Sequence, residues 1–338
     1  MPAPSAPRTL LAQAPTRIDL AGGTLDLWPL YLFIEGSRTV NAAIDIFSSV
    51  RLEPTPAGYE IVSRDQGRGV RAAALKDLEP AGELPLVARL LRHFAPAPGL
   101  RVVTEGRSPA GAGLGGSSSL AVALAGALAE WTGRRLDGGA LIALVANLEA
   151  QVLRTPTGTQ DHWAALEGGL SVLHLGPAGV RRQALADASD WLEPRLVLCY
   201  TGAPHHSGIS NWEVYKRAID REPETCRALE EIASAAAAME AALEARDAER
   251  VAEVLDREWR ARQRLAPGVS TPRIDEIDRW GREHGALAGK VCGAGGGGCL
   301  LFIAAEARAG DLAAGLRTRG VEVLPCRLAA RGLDVRWA

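Results

Sequence analysis

Apolar and polar positions alternate first at the period of a strand and later at the period of a helix. Arg17 to Leu20 and Thr39 to Leu52 mix β-branched and apolar residues with polar ones and read as strands, with a Gly22-Gly23 turn between them. Leu100 to Thr104 is a further short strand. A glycine-rich loop then leads into an alanine- and leucine-rich helix, Leu120 to Trp131, which Gly133 can end. From Leu141 to Leu153 apolar residues recur at 141, 144, 145, 148 and 152, which predicts a helix with Glu149 at the edge of its apolar stripe, where it can face a cleft.

Gly169 to Leu175 and Arg195 to Tyr200 read as strands, and the polar stretch between them, Gly176 to Asp190, as a domain boundary near residue 188. Glu224 to Arg246 and Ala248 to Arg264 read as two helices, the second with Val251, Leu255 and Trp259 on one stripe. The end alternates a strand (Ala288 to Cys292), a glycine run, a strand (Cys299 to Ala304), a helix near Ala309 to Arg319, and a strand from Val321 to Leu328.

A length of 338 residues suits two domains, residues 1–188 and 189–338, with a cleft between them. Charge narrows the partners. Acidic residues number 40 against 38 basic ones, so no basic field attracts nucleic acid and no excess points to a membrane surface. The stretch Leu120 to Leu128 is too short to span a bilayer, and Met1 to Pro7 lacks the charged start of a signal peptide; the expectation is a cytoplasmic protein with a small-molecule partner. The five cysteines form no C-x-x-C pair and are expected to be reduced thiols.

The segment Gly111-Ala112-Gly113-Leu114-Gly115-Gly116-Ser117-Ser118-Ser119 opens a helix, where unpaired N–H groups and the helix dipole favour a bound phosphate. Serine hydroxyls there can reach a metal or a phosphate oxygen, and three in a row exceed what capping requires. Glycines 111, 113 and 116 also fit the dinucleotide fingerprint. That match is weak, because no strand immediately precedes it and glycines 293, 295 and 298 fit the same pattern ahead of a strand. A P-loop is excluded by Ser117, which stands where lysine is needed.

Three ordered segments resemble the signatures of the GHMP kinase superfamily, which unites galactokinase, homoserine kinase, mevalonate kinase and phosphomevalonate kinase. They are Ala14 to Leu27, Ser108 to Ser119 and Gly293 to Gly298, and the resemblance extends over nearly the whole chain. The first segment is most similar to heptose 7-phosphate kinase and fucokinase, although Thr24 and Leu25 replace a usual glycine and threonine. The resemblance implies an α+β fold, with an N-terminal domain like a domain of ribosomal protein S5 and a ferredoxin-like C-terminal domain. It implies ATP and Mg²⁺ as cofactors, with the metal on Ser117 and Glu149. Asp161 would be the base, supported by Arg17, and the acceptor would meet Arg17, Gly22, Gly23, Thr24, Asp26, Asp161, Gly295 and Gly296.

The implied activity is transfer of the γ-phosphate of ATP to a sugar or sugar-phosphate hydroxyl, the anomeric one first. A mevalonate-type kinase and a non-catalytic nucleotide- or sugar-binding protein stay open, as does a homodimer. Lys290 has two readings, a phosphate contact or a solvated lysine. The pair His205-His206 lacks a third ligand at metal spacing and reads as loop, with a pocket lining as its other reading.

Overall fold

The computed structural model describes residues 8–204 and 207–338, and leaves the side chains of residues 207–210 out. His205 and His206 therefore lie outside the described residues. The first half runs through β1 (Leu10–Ala21), β2 (Arg38–Pro54), β3 (Tyr59–Ser63), β4 (Arg68–Ala72), α1 (Pro85–Phe94), β5 (Leu100–Gly106), α2 (Gly116–Thr132), α3 (Gly138–Leu153), α4 (Gln160–Glu167), β6 (Leu170–Gly176) and β7 (Gly179–Ala184). The second half adds β8 (Leu196–Tyr200), α5 (Ser207–Ile219), α6 (Pro223–Glu244), α7 (Ala248–Gln263), α8 (Pro272–Glu283), β9 (Ala286–Val291), β10 (Cys299–Ala304), α9 (Ala309–Thr318), β11 (Glu322–Leu324) and β12 (Asp334–Trp337).

Two sheets result. The larger has the order β12-β1-β2-β5-β3-β4, with β6 also paired to β2 and β7 paired to β6; the smaller has the order β11-β8-β10-β9. At 17 residues β2 is long enough to hold β6 along Arg38–Ala42 and β5 along Ser48–Pro54, with β1 on its other side. The β1–β2 register shifts between Pro15 and Thr16, an irregularity that precedes Arg17.

Helix α2 is buried along most of its length, as its alanine- and leucine-rich sequence requires, and Gly133 closes it at φ 70°. Around it, α1, α3 and β1 to β5 form one apolar core, built on residues such as Leu52, Val102, Leu124 and Leu91. A second core is shared between the halves: Ile18, Leu20, Val40 and Ile44 pack with Met239 and Leu243 of α6 and Val251 and Leu255 of α7.

Two expectations change. The stretch Gly176 to Asp190, read as a polar boundary, contains β7, which forms a hairpin with β6 around a Gly176–Gly179 turn. The strand read from Val321 to Leu328 stops at Leu324, because Pro325 has no N–H to continue the ladder; Leu328 instead bridges to Ile44 of the larger sheet. All five cysteines are free, and burial pushes the Cys199 thiol up to about 12 and the Cys292 thiol up to about 11.

Candidate active site

A cavity of about 770 Å³ opens along the start of α2 and runs to the turn that follows β1. Ser119 N–H makes the first helical bond of α2, to Gly115 O at 2.9 Å, so the N–H groups just before it have no helical acceptor. Gly115 itself stands at φ 73°, and a Cβ there would lie 2.9 Å from the Asp161 carboxylate. The loop therefore forms a cradle that glycine alone keeps open, with N–H groups suited to phosphate oxygens.

The three serines separate into three tasks. Ser117 lines the cavity, Ser118 Oγ donates to Glu149 Oε2 at 2.8 Å, and Ser119 Oγ turns away to donate to Ala14 O of β1 at 2.8 Å. Glu149, 4 % exposed on α3, also lies 2.9 Å from His162 Nε2 of α4. Burial opposes its ionisation, yet His162 and the hydroxyls of Ser117 and Ser118 outweigh this and hold its pKa below the usual carboxylate range. In turn burial lowers the pKa of His162, and the bond and charge of Glu149 more than reverse the effect. A hydroxyl and an ionised carboxylate are hard oxygen donors that fit Mg²⁺ keeping several waters. Among the described residues no cluster of three or more His, Cys, Asp or Glu side chains offers a competing metal site.

Opposite the cradle, Arg17 Nε donates to Asp161 Oδ1 at 2.8 Å, and Nη1 donates to Gly113 O at 2.6 Å. One buried guanidinium thus ties the carboxylate at the start of α4 to the glycine loop. Desolvation works against the charge on Arg17, and Asp161 and Asp19 restore it. Asp161 keeps 24 % of its side chain exposed. Asp26 is 4 % exposed, and its Oδ2 accepts from Gln160 N at 2.9 Å. Burial pushes its pKa up to about 6 against the pull of the Gln160 N–H, and the charge of Asp161 adds to the rise.

Arg17, Asp26, Glu149, Asp161, Gly23, Thr24 and the loop from Gly111 to Ser118 thus share one cavity. Four expected site residues do not line it. Ser119 faces β1. Gly22 is pressed so closely against β2 that a Cβ would meet Arg38 O at 2.1 Å. Gly295 and Gly296 pack on Val269, with Gly296 N donating to Val269 O at 2.8 Å, and the glycine run reaches the cavity through Gly293 and Ala294 instead. Lys290 is neither a phosphate contact nor solvated: it is fully buried, 3.1 Å from both Asp19 Oδ2 and Glu258 Oε2. Arg262 and Asn211, which the sequence did not single out, line the end of the cavity near Thr24 and Asp26.

Comparison with known proteins decides the family. The GHMP kinases N terminal domain matches residues 84–169, and the GHMP kinases C terminal domain matches residues 239–322. The chain belongs to the GHMP kinases. It has their two-domain fold and is a phosphotransferase acting on an alcohol group. The D-glycero-alpha-D-manno-heptose 7-phosphate kinase of Campylobacter jejuni is 27 % identical, over 92 % of this chain and 94 % of that protein. The L-fucokinase/L-fucose-1-P guanylyltransferase of Bacteroides fragilis is 26 % identical, over 88 % of this chain but 35 % of that longer protein. Among solved structures, a D-glycero-D-manno-heptose 1-phosphate kinase from Bacteroides thetaiotaomicron superposes with a TM-score of 0.78 at 26 % identity, covering 97 % of this chain and 98 % of that one. No described helix of this GHMP kinase is long and apolar enough to cross a membrane.

Proposed function

We propose that this GHMP kinase transfers the γ-phosphate of ATP to a hydroxyl of a sugar or sugar phosphate, the anomeric hydroxyl first, with a heptose 7-phosphate as the first acceptor to test. The observation that carries the reading is a pair of carboxylates, Asp26 and Asp161, facing the same cavity as the phosphate cradle of α2. A polyol presents many hydroxyl donors, and buried carboxylates suit it better than the cation and apolar wall that a mevalonate-type acceptor would require. The likeness to heptose and fucose kinases points the same way.

In this reading the N–H groups at the start of α2 hold the phosphates of ATP. Ser117 and Glu149 would hold Mg²⁺, which when bound neutralises charge on the transferring phosphate. Asp26 accepts hydrogen bonds from the acceptor and orients it. An Asp161 carboxylate oxygen takes the proton of the attacking hydroxyl, while the Arg17 guanidinium holds Asp161 in place.

The test is ADP release in the presence of Mg²⁺ from a panel of free hexoses, pentoses and heptose phosphates beside mevalonate and homoserine. A sugar or sugar phosphate should be turned over, and Asp161→Asn should lower kcat about 10²–10⁴-fold with ATP affinity retained. Release confined to mevalonate or homoserine would sink the sugar reading. Phosphorus NMR of the product distinguishes an anomeric phosphate from one on another hydroxyl.

A further inference from the structure

Beneath the turn that follows β1 lies a group of four almost fully buried charges. Asp19 of β1, Glu258 and Arg262 of α7, and Lys290 of β9 are each at most 1 % exposed. Lys290 Nζ stands 3.1 Å from Asp19 Oδ2 and from Glu258 Oε2, while Arg262 Nη2 stands 2.5 Å from Glu258 Oε1 and 3.8 Å from Asp19 Oδ2. Burial opposes the charge on Asp19, and Lys290, Arg262 and Arg17 outweigh it. A buried ion cluster is weak evidence for stability, since desolvation offsets much of the attraction. Its geometry points instead to what it supports.

It supports the backbone of the acceptor loop. Arg262 Nη2 donates to Gly23 O at 2.9 Å, and Nη1 donates to Thr24 Oγ1 at 3.3 Å. Thr24 stands at φ 76°, in the left-handed region that a β-branched residue rarely adopts, and its hydroxyl donates to Asn211 Oδ1 of α5 at 3.3 Å. Gly23 lies directly on the cluster: a Cβ there would stand 2.5 Å from Asp19 Oδ2 and 3.0 Å from Arg262 Nη2. Thr24, Asn211 and Arg262 all line the end of the cavity where Asp26 faces the acceptor.

We infer that Arg262, fixed by Glu258, Asp19 and Lys290, is a positioning residue that sets the conformation of Gly23 to Asp26 and thereby selects the acceptor. Two carboxylates already neutralise Arg262 and Lys290, so little charge is left on Arg262 for an anion in the cavity; its free donors go to the loop. Asp19 and the loop belong to the first half of the chain, Arg262 and Lys290 to the second. The acceptor end is therefore shaped only when the halves are docked. The inference rests on assigning this end of the cavity to the acceptor.

Three variants test it. Arg262→Met combined with Glu258→Gln removes one cation and one anion, leaving Asp19 and Lys290 paired. Thr24→Gly leaves the cluster whole but removes the hydroxyl through which Arg262 Nη1 and Asn211 hold the loop. On an acceptor that the wild type phosphorylates, both should raise the acceptor KM at least tenfold with the KM for ATP within twofold. Arg262→Lys should recover part of the loss, because one ammonium can still bridge Glu258 and Gly23 O. Crystal structures of the variants should show residues 23–26 displaced.

An unchanged acceptor KM in the folded double variant would overturn the inference, and so would a loss confined to phosphorylated acceptors, which would make Arg262 a direct anion contact. Should the double variant not fold, Thr24→Gly decides, with an unchanged acceptor KM as the contrary result. If the wild type turns over no sugar in the panel, the proposed function fails. The position of residues 23–26 in the Thr24→Gly crystal structure then decides this inference by itself.

Discussion

Asp26 carries a test that its surroundings define. Burial and the neighbouring Asp161 push its pKa up to about 6. Below that pH it is protonated, and above it the carboxylate can accept a hydroxyl bond from a polyol beside the bond that Gln160 N–H gives it. Acceptor kcat/KM should therefore rise through pH about 6, and Asp26→Asn should remove that limb while leaving the KM for ATP near the wild-type value. Stability moves the other way. Between the unfolded pKa of 3.8 and about 6, the folded state binds more protons than the unfolded one, so this residue costs stability as pH rises through that window, on the order of 3 kcal/mol in all. Asp26→Asn should flatten that part of a melting-temperature profile; a limb at pH 6 that persists in the variant would assign it to another group. That Asp26, Arg17 and Asp161 meet at one cavity was legible because they stand in one short signature and one helix start. The buried role of Lys290 was not legible, since its partners Asp19 and Glu258 lie far off in sequence and meet through tertiary packing. A signal did exist on α7: Glu258 and Arg262 fall on the stripe of Val251, Leu255 and Trp259, and charges on an apolar stripe are paired if buried.

Among the elements, β2, β5 and α3 were readable from their period, and β10 and α2 from apolar runs bounded by glycine. Others were not. The hairpin of β3 and β4 is only five residues on each side, and α8 carries more charged than apolar residues, so its short stripe of Ile274, Ile277 and Gly281 is easily passed over. α1 has its apolar stripe at Val87, Leu90, Leu91 and Phe94 with Pro85 at its start, signals that could have marked it. The loop before α2 yields the prediction at this scale. Gly115→Val would place a β-branched residue at φ 73° and a Cβ 2.9 Å from the Asp161 carboxylate. It should abolish ATP binding by calorimetry and lower turnover by displacing Asp161, with the fold intact by circular dichroism because the loop lies at the cavity wall. A folded variant with wild-type ATP affinity would remove this loop as the cradle.

For the molecule as a whole, we propose that the two halves meet near residue 188, with the chain end handed back to the first half. β12 pairs with β1 over Leu10–Gln13, Trp337 Nε1 donates to Glu130 Oε1 at 2.9 Å, and Trp337 stacks on Trp131 at 5.6 Å. Ile18, Leu20, Val40 and Ile44 bury themselves against α6 and α7, and each such side chain left in water forfeits roughly 1.5–3 kcal/mol. Net stabilities of whole domains are only about 5–15 kcal/mol, so losing several of these contacts at once is enough to unfold a half. A fragment of residues 1–188 also leaves one edge of β1 unpaired, which invites association between chains. Expressed by itself, this fragment should lack a near-ultraviolet dichroism signal, aggregate on concentration and fail to bind ATP, although it contains the entire cradle with Ser117, Glu149 and Asp161. Co-expression with residues 189–338 should restore a soluble complex that binds ATP, because the shared core and the Asp19–Lys290 pair can then form between the fragments. A fragment of residues 1–188 that melts sharply and binds ATP unaided would show that each half folds on its own core, and the docking of the halves would no longer be needed to build the site.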